Sequence, residues 1–323
     1  MARRPSRSAF LAAAGAGLAY AAAPRIARAQ TTRLDVAAVL SDPFAEPFYA
    51  QASGVFAQHG FDLEPLTMFD AGTVMAAIAG GSLQMGMGDL ISGVNAIIAG
   101  IPIVLIAGGA LYRMGLDEGL GAVAVARSSS IIDAKGLVGA TIGVPTLVGE
   151  TTVFVRSWLA EEGVSLAQVR FVEVPPPQVV AALQRGTIDA GFTGPPFSTQ
   201  SEALIRAIGY PDNVPARLAP DHAYCNSVWY ASKQWIDADL PRARAVIAAI
   251  YEAARWANAH QDATFKVLVD LAKLDPAKVA GMKRVQFATS LTAGMVQPVI
   301  TLGEREKLLL KPITAGELLG AIG

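Results

Sequence analysis

"VMAAIAGGSLQMGMGD" (residues 74–89) and "VVAALQRGTIDAGFTG" (residues 179–194) stand 105 positions apart and align without a gap. They share one Val, two Ala and two Gly, and elsewhere apolar residues stand opposite apolar ones. Each stretch reads as a helix, a glycine turn and a short strand that runs into a glycine-bearing loop. A chain that carries this unit twice is expected to hold two similar lobes, with the loop ends of both units facing one ligand.

The flanking residues extend the match. Ahead of the first unit, "LDVAAVL" (34–40) predicts a buried strand, "SDPFAEPFYAQASGVFAQHG" (41–60) a loop passing into a helix, and "FDLEPLTMF" (61–69) a second strand. A helix over 90–99 and a strand over 103–107 follow it. Ahead of the second unit, "GATIGV" (139–144) reads as a strand and "GETTVFVRSWLAEEG" (149–163) as an amphipathic helix closed by glycine. "VRFVEV" (169–174) reads as a strand stopped by three prolines, which also suit the first turn of the next helix. Strands alternating with helices predict an α/β fold of mainly parallel sheets with covered faces. "NSVWYAS" (226–232) predicts a strand returning to the first lobe, and helices are expected over 240–261, 263–271 and 276–282. The expected division is therefore 30–126 plus 224–323 for lobe 1 and 127–223 for lobe 2.

Residues 1–29 stand apart. Arg3, Arg4 and Arg7, an apolar run over 9–23 and "ARA" just before Gln30 form the layout of a cleavable secretory signal peptide. Cleavage is expected after Ala29, the run is too short to span a bilayer, and both the twin-arginine and the Sec route fit. The alternative is a short amphipathic membrane anchor. Without this segment 21 basic residues face 27 acidic ones, a net charge of −6. That balance argues against nucleic acid or an anionic membrane surface as partner. Cys225 is the single cysteine, which excludes an internal disulfide. The expected location is the periplasm, and the expected state a monomer.

Four stretches resemble one known family. "PFYAQASGVFAQHGFDLE" (47–64), "MAAIAGGSLQMGMGD" (75–89), "IIDAKGLVGATIGV" (131–144) and "VVAALQRGTIDAGFTGPP" (179–196) are similar to motifs of the type II periplasmic binding proteins. Those proteins serve ABC importers of nitrate, sulfonates, taurine and thiamine-pyrimidine precursors. The resemblance implies a two-lobed fold with the ligand cleft between lobes, a small-molecule ligand, a membrane permease and an ATPase as partners, and no cofactor. Gln84 stands where the motif has Asp, and "DAKG" replaces "DLKG".

In open α/β sheets a ligand sits beyond the carboxyl ends of the strands. That rule selects Ser41, Asp42, Phe44, Asp70, Thr73, Gly88, Asp89, Gly149, Glu150, Thr151, Thr152, Phe192, Thr193, Gly194 and Asn226 as candidate ligand-binding residues. Phe44 offers a ring face, while Phe48 and Tyr49 read equally as core residues of the following helix. "GETT" (149–152) offers a helix N-terminus for an anion, though Glu150 there is also an ordinary capping residue. Asp89 is an N-cap in one reading and a ligand carboxylate in the other. The selected loops hold four acids and no Lys or Arg, with Arg113 the nearest loop cation, which leans towards a neutral or amine-bearing ligand.

Two rival classes remain. A periplasmic sensor would share the fold. An enzyme resembling the pyrimidine-precursor synthases of the same fold would need a reactive His and metal-ligating Cys. His59, His222 and His260 are scattered without metal-ligand spacing, so neither catalysis nor a metal site is expected.

Overall fold

The computed structural model describes residues 31–68 and 71–320, so the expected signal peptide and Asp70 lie outside the described residues. In chain order the strands are β1 (Thr32–Val39), β2 (Phe61–Met68), β3 (Met85–Gly88), β4 (Ile103–Gly108), β5 (Ala110–Arg113), β6 (Ala122–Ala126) and β7 (Thr141–Val144). They continue as β8 (Arg170–Glu173), β9 (Ala190–Thr193), β10 (Ile205–Gly209), β11 (Ala223–Cys225), β12 (Val228–Ser232) and β13 (Gln286–Phe287). Two five-stranded sheets share one plan: β2-β1-β3-β12-β4 in the first and β8-β7-β9-β6-β10 in the second. In each, four strands run the same way and an antiparallel strand fills the fourth position. That strand is β12 in the first sheet, as its return was expected from sequence, and β6 in the second. β6 ends at Ala126 and belongs to the second sheet, so the crossing between sheets precedes Ala122 rather than following Ala126 as expected.

The repeated unit has a physical explanation position by position. Met85 and Ala190 pair with Val36 and Ile142, and Gly86 and Gly191 with Ala37 and Gly143, so the two units enter their sheets in the same register. The shared Val packs on the shared strand Gly in both. A Cβ on Gly86 would collide with Val74 Cγ1, and one on Gly191 would lie 2.7 Å from Val179 Cγ1. Glycine there lets the helix Ala71–Ala79, and its counterpart Val179–Arg185, press onto the strand. The other shared glycines, Gly81 and Gly186, have φ of 77° and 68°, the left-handed turn that ends a helix. Ser82 and Thr187 each donate a hydroxyl hydrogen bond back to Ala77 O (2.9 Å) and Ala182 O (3.1 Å). Gln84 Oε1 accepts from Asp35 N at 2.7 Å, as Asp189 Oδ2 accepts from Thr141 N at 2.7 Å. The Gln84 departure therefore keeps the same bond.

A small sheet, β11-β5-β13, joins the segments that cross between the two large ones. Tyr112, Tyr224 and Phe154 pack there, with ring centroids 5.5 Å and 5.4 Å from Tyr224. The helix Leu240–Ala259 covers the first sheet, burying Val246, Ile250 and Ala253 against Trp229 and Ile106. Among the described residues no helix is long and apolar enough to cross a membrane.

Candidate functional site

A cleft of about 840 Å³ opens where the carboxyl ends of strands from both sheets converge, within the roughly 300–1,000 Å³ common for small-molecule sites. Phe44, Tyr112, Phe192 and Phe197 supply aromatic faces. Among its lining residues four are acids, Asp89, Glu150, Glu173 and Asp212, and none is Lys, Arg or His.

Asp89 and Glu150 meet across the cleft. Asp89 caps its own helix, Leu90–Ile98, its Oδ1 accepting from Ser92 N at 2.9 Å, and it also accepts from Glu150 N at 3.1 Å. Glu150 opens the helix Glu150–Glu161 and returns the bond, its Oε2 accepting from Leu90 N at 3.0 Å. Each acid thus caps the helix of the other, a reciprocal version of ordinary N-terminal capping between two helices. Burial and the nearby Asp89 charge hold the Glu150 carboxyl well above its usual range. The first N–H of the helix Glu150–Glu161, which a sequence reading offers to an anion, is thus held by Asp89.

Asp212 is the other deeply buried acid of the cleft, 2% exposed. Its Oδ1 accepts from Tyr224 OH at 2.8 Å and from Asn226 Nδ2 at 3.5 Å. Burial pushes its carboxyl up to about 6, opposed by the Tyr224 hydrogen bond. Tyr112 OH donates to Asn213 Oδ1 at 2.8 Å, fixing the residue next to it. Thr193 is 2% exposed, and its hydroxyl has no hydrogen-bond partner.

The structure brings Ser41, Phe44, Asp89, Glu150, Thr151, Phe192, Thr193, Gly194 and Asn226 to this cleft. Asp42 points elsewhere: Arg284 Nε donates to its Oδ2 at 2.8 Å and Tyr49 OH to its Oδ1 at 2.6 Å, so it pins the first loop to the C-terminal segment. Tyr49 is fully buried against Phe287, which places it in the core. Thr73 is exposed on its helix and does not line the cleft, Gly88 is buried in β3, and Gly149 is the residue before the helix. Thr152 turns its hydroxyl to Thr146 O. Arg113 is held by Asp117 at 2.8 Å and is no cleft cation. Sequence reasoning missed Ser92, Tyr112, Glu173, Phe197 and Asp212. Glu173 ends β8 and follows the strand-end rule; Asp212 follows β10, a strand whose second residue, Arg206, hides its pattern.

Two similar sheets around an acid-lined cleft at the strand ends define the two-lobed architecture of the periplasmic binding proteins. The chain belongs to the NMT1-like family, whose model matches residues 27–273. It is 32% identical over 111 residues to the nitrate/nitrite binding protein NrtA of Nostoc sp., covering 34% of this chain and 24% of that protein. It is 30% identical over 158 residues to the taurine-binding periplasmic protein of Escherichia coli, covering 47% of this chain and 46% of that one. The matches thus span from about a quarter to just under half of these relatives' own length. The alkanesulfonate-binding protein SsuA from Xanthomonas axonopodis pv. citri, bound to MOPS, superposes with a TM-score of 0.71 at 16% identity, over 91% of this chain and 98% of that one. The desulfurization enzyme DSZB shares the fold at TM-score 0.64 and 16% identity, over 90% and 99%.

Proposed function

We propose that this chain is the solute-binding component of an ABC import system, exported to the periplasm by a cleaved signal peptide. It captures a small organic nitrogen- or sulfur-containing molecule in the cleft and delivers it to a permease and its ATPase, acting as a monomer. Lobe 1 comprises residues 30 to about 121 with 224–323, and lobe 2 the residues between. The observation that carries this reading is the cleft itself, lined from both sheets and crossed by the Asp89–Glu150 capping exchange. A ligand held there touches both lobes and favours their closed arrangement, which an importer can recognise.

Binding is favoured over catalysis by the named relatives, a nitrate/nitrite binding protein and a taurine-binding periplasmic protein. A thermal-shift screen of the refolded chain tests the reading, with aminopyrimidines, taurine, alkanesulfonates, nitrate and aromatic carboxylates as the panel. One class is expected to raise the melting point, since ligand at about 100 times its Kd stabilises by roughly 2.7 kcal/mol. No shift with any class contradicts the reading.

A further inference from the structure

Four carboxylates line the cleft, and several of its donors are already engaged. Asn95 is committed to Leu308 O and Leu310 N, at 2.8 Å and 2.9 Å, and the N–H groups of Leu90, Ser92 and Glu150 are taken by Glu150 and Asp89. Asp212 Oδ1 is engaged by Tyr224 and Asn226, but Oδ2 receives no hydrogen bond among the described residues. Oδ2 lies beside the Phe192 ring in the space over Gly121, where any Cβ would collide with both. Gly121 thereby lets a carboxylate and an aromatic edge share one corner of the cleft.

Thr193 adds a second observation on the cleft wall. It follows Phe192 on β9 and pairs with Ala122, the neighbour of Gly121. The residue lines the cleft, and its buried hydroxyl has no partner. A buried polar atom without a partner is unfavourable, which a ligand N–H at the hydroxyl would relieve.

Building on the reading that this cleft holds a small molecule, we propose that its ligand carries a protonated nitrogen, an amine or amidinium on an aromatic or heteroaromatic ring, received by Asp212 Oδ2 and Thr193 Oγ1. The electrostatics favour a cation, because a carboxylate in a partly desolvated cleft attracts a cation and repels an anion. No lining Lys, Arg or His offsets that repulsion, and the first N–H groups of the helices Leu90–Ile98 and Glu150–Glu161 are held by Glu150 and Asp89. The rings of Phe44, Tyr112, Phe192 and Phe197 suit the flat body of such a ligand and stabilise its charge through their faces.

The test is calorimetric titration and melting of the full chain with benzamidine, benzylamine and 4-aminopyridine, each against benzoate, benzenesulfonate and nitrate. Asp212→Asn and Thr193→Val are the variants, with the surface change Asp237→Asn as control. The expected result is that at least one cationic probe binds and the anions do not. Asp212→Asn then weakens that probe at least tenfold and Thr193→Val several-fold, while Asp237→Asn leaves it unchanged. Asn still accepts from Tyr224, so the melting point of unliganded Asp212→Asn should hold, which separates a ligand role from a structural one. Binding of benzoate, benzenesulfonate or nitrate without any cation overturns the charge assignment and leaves the solute-binding reading intact. Cation binding that Asp212→Asn leaves unchanged overturns the role of Asp212. Silence across the whole panel overturns the assignment and counts equally against the solute-binding reading.

Discussion

Asp89 holds two N–H groups on two helices, so its removal is felt on both sides of the cleft. Asp89→Ala is expected to lower stability by about 1–2 kcal/mol, the cost of a lost N-cap. Asp89→Asn, which keeps an acceptor oxygen, should cost less. Chemical denaturation of both variants checks this. Glu46 is a buried acid with a clear consequence of its own. Trp229 Nε1 donates to its Oε2 at 2.7 Å, its Oε1 has no partner, and burial pushes its carboxyl up to about 8 from 4.5. Because the folded pKa is raised, the folded state binds the proton more tightly than the unfolded chain. The stability it contributes is full below about pH 4.5 and is lost as pH rises through 8, with a slope of up to about 1.4 kcal/mol per pH unit. Glu46→Gln keeps the acceptor for Trp229 and removes the titration. Its melting point should therefore fall less than the parent's between pH 5 and 8, which differential scanning calorimetry across that range measures. At this scale the sequence was partly legible: Asp89 and Glu150 could be placed at helix starts, but that each caps the other's helix depends on a contact between residues 60 apart or more.

At the scale of elements, the repeated unit was legible because its identities answer local demands. The turn glycines Gly81 and Gly186 adopt positive φ, and Val74 and Val179 need a strand glycine beneath them. Gly191→Ala is expected to destabilise by about 1–3 kcal/mol through overpacking. Its Cβ meets the Val179 and Ile188 side chains, so Gly191→Ala with Val179→Ala should cost less than the sum of the two single changes. In the first sheet Ala37 O also lies 2.8 Å from a Cβ on Gly86, and backbone cannot be trimmed. The matching pair Gly86→Ala and Val74→Ala should recover less, and urea denaturation of both cycles measures the difference. The strands that sequence did not announce are β5, β6, β10, β11 and β13. They are short or carry charged residues, as Arg206 does in β10 where its guanidinium donates to Ser129 O and Ile131 O. Missing β10 meant missing the loop behind it, and with it Asp212.

At the scale of the molecule, one plan built twice gives two sheets whose strand ends converge, and the crossing strands β6 and β12 lock each sheet at the same position. The helix Ala293–Arg305 bears on both halves. Glu306, just past its end, accepts from Ser157 Oγ at 3.0 Å and Arg156 Nε at 3.3 Å on the helix Glu150–Glu161. That embrace was not legible, because its partners are some 150 residues apart. The family and the two-lobed fold were legible from four short motifs, and the acid lining in part, through Asp89 and Glu150; Glu173 and Asp212 joined it only when distant loops were brought together. The central claim is that this cleft carries one small molecule. Native mass spectrometry of the chain, purified without denaturation from cells that express it, tests it directly. The account predicts a single small-molecule adduct, absent from a folded Ser41→Trp variant that fills the cleft. A chain that carries no adduct, or an adduct that Ser41→Trp leaves in place, would contradict it.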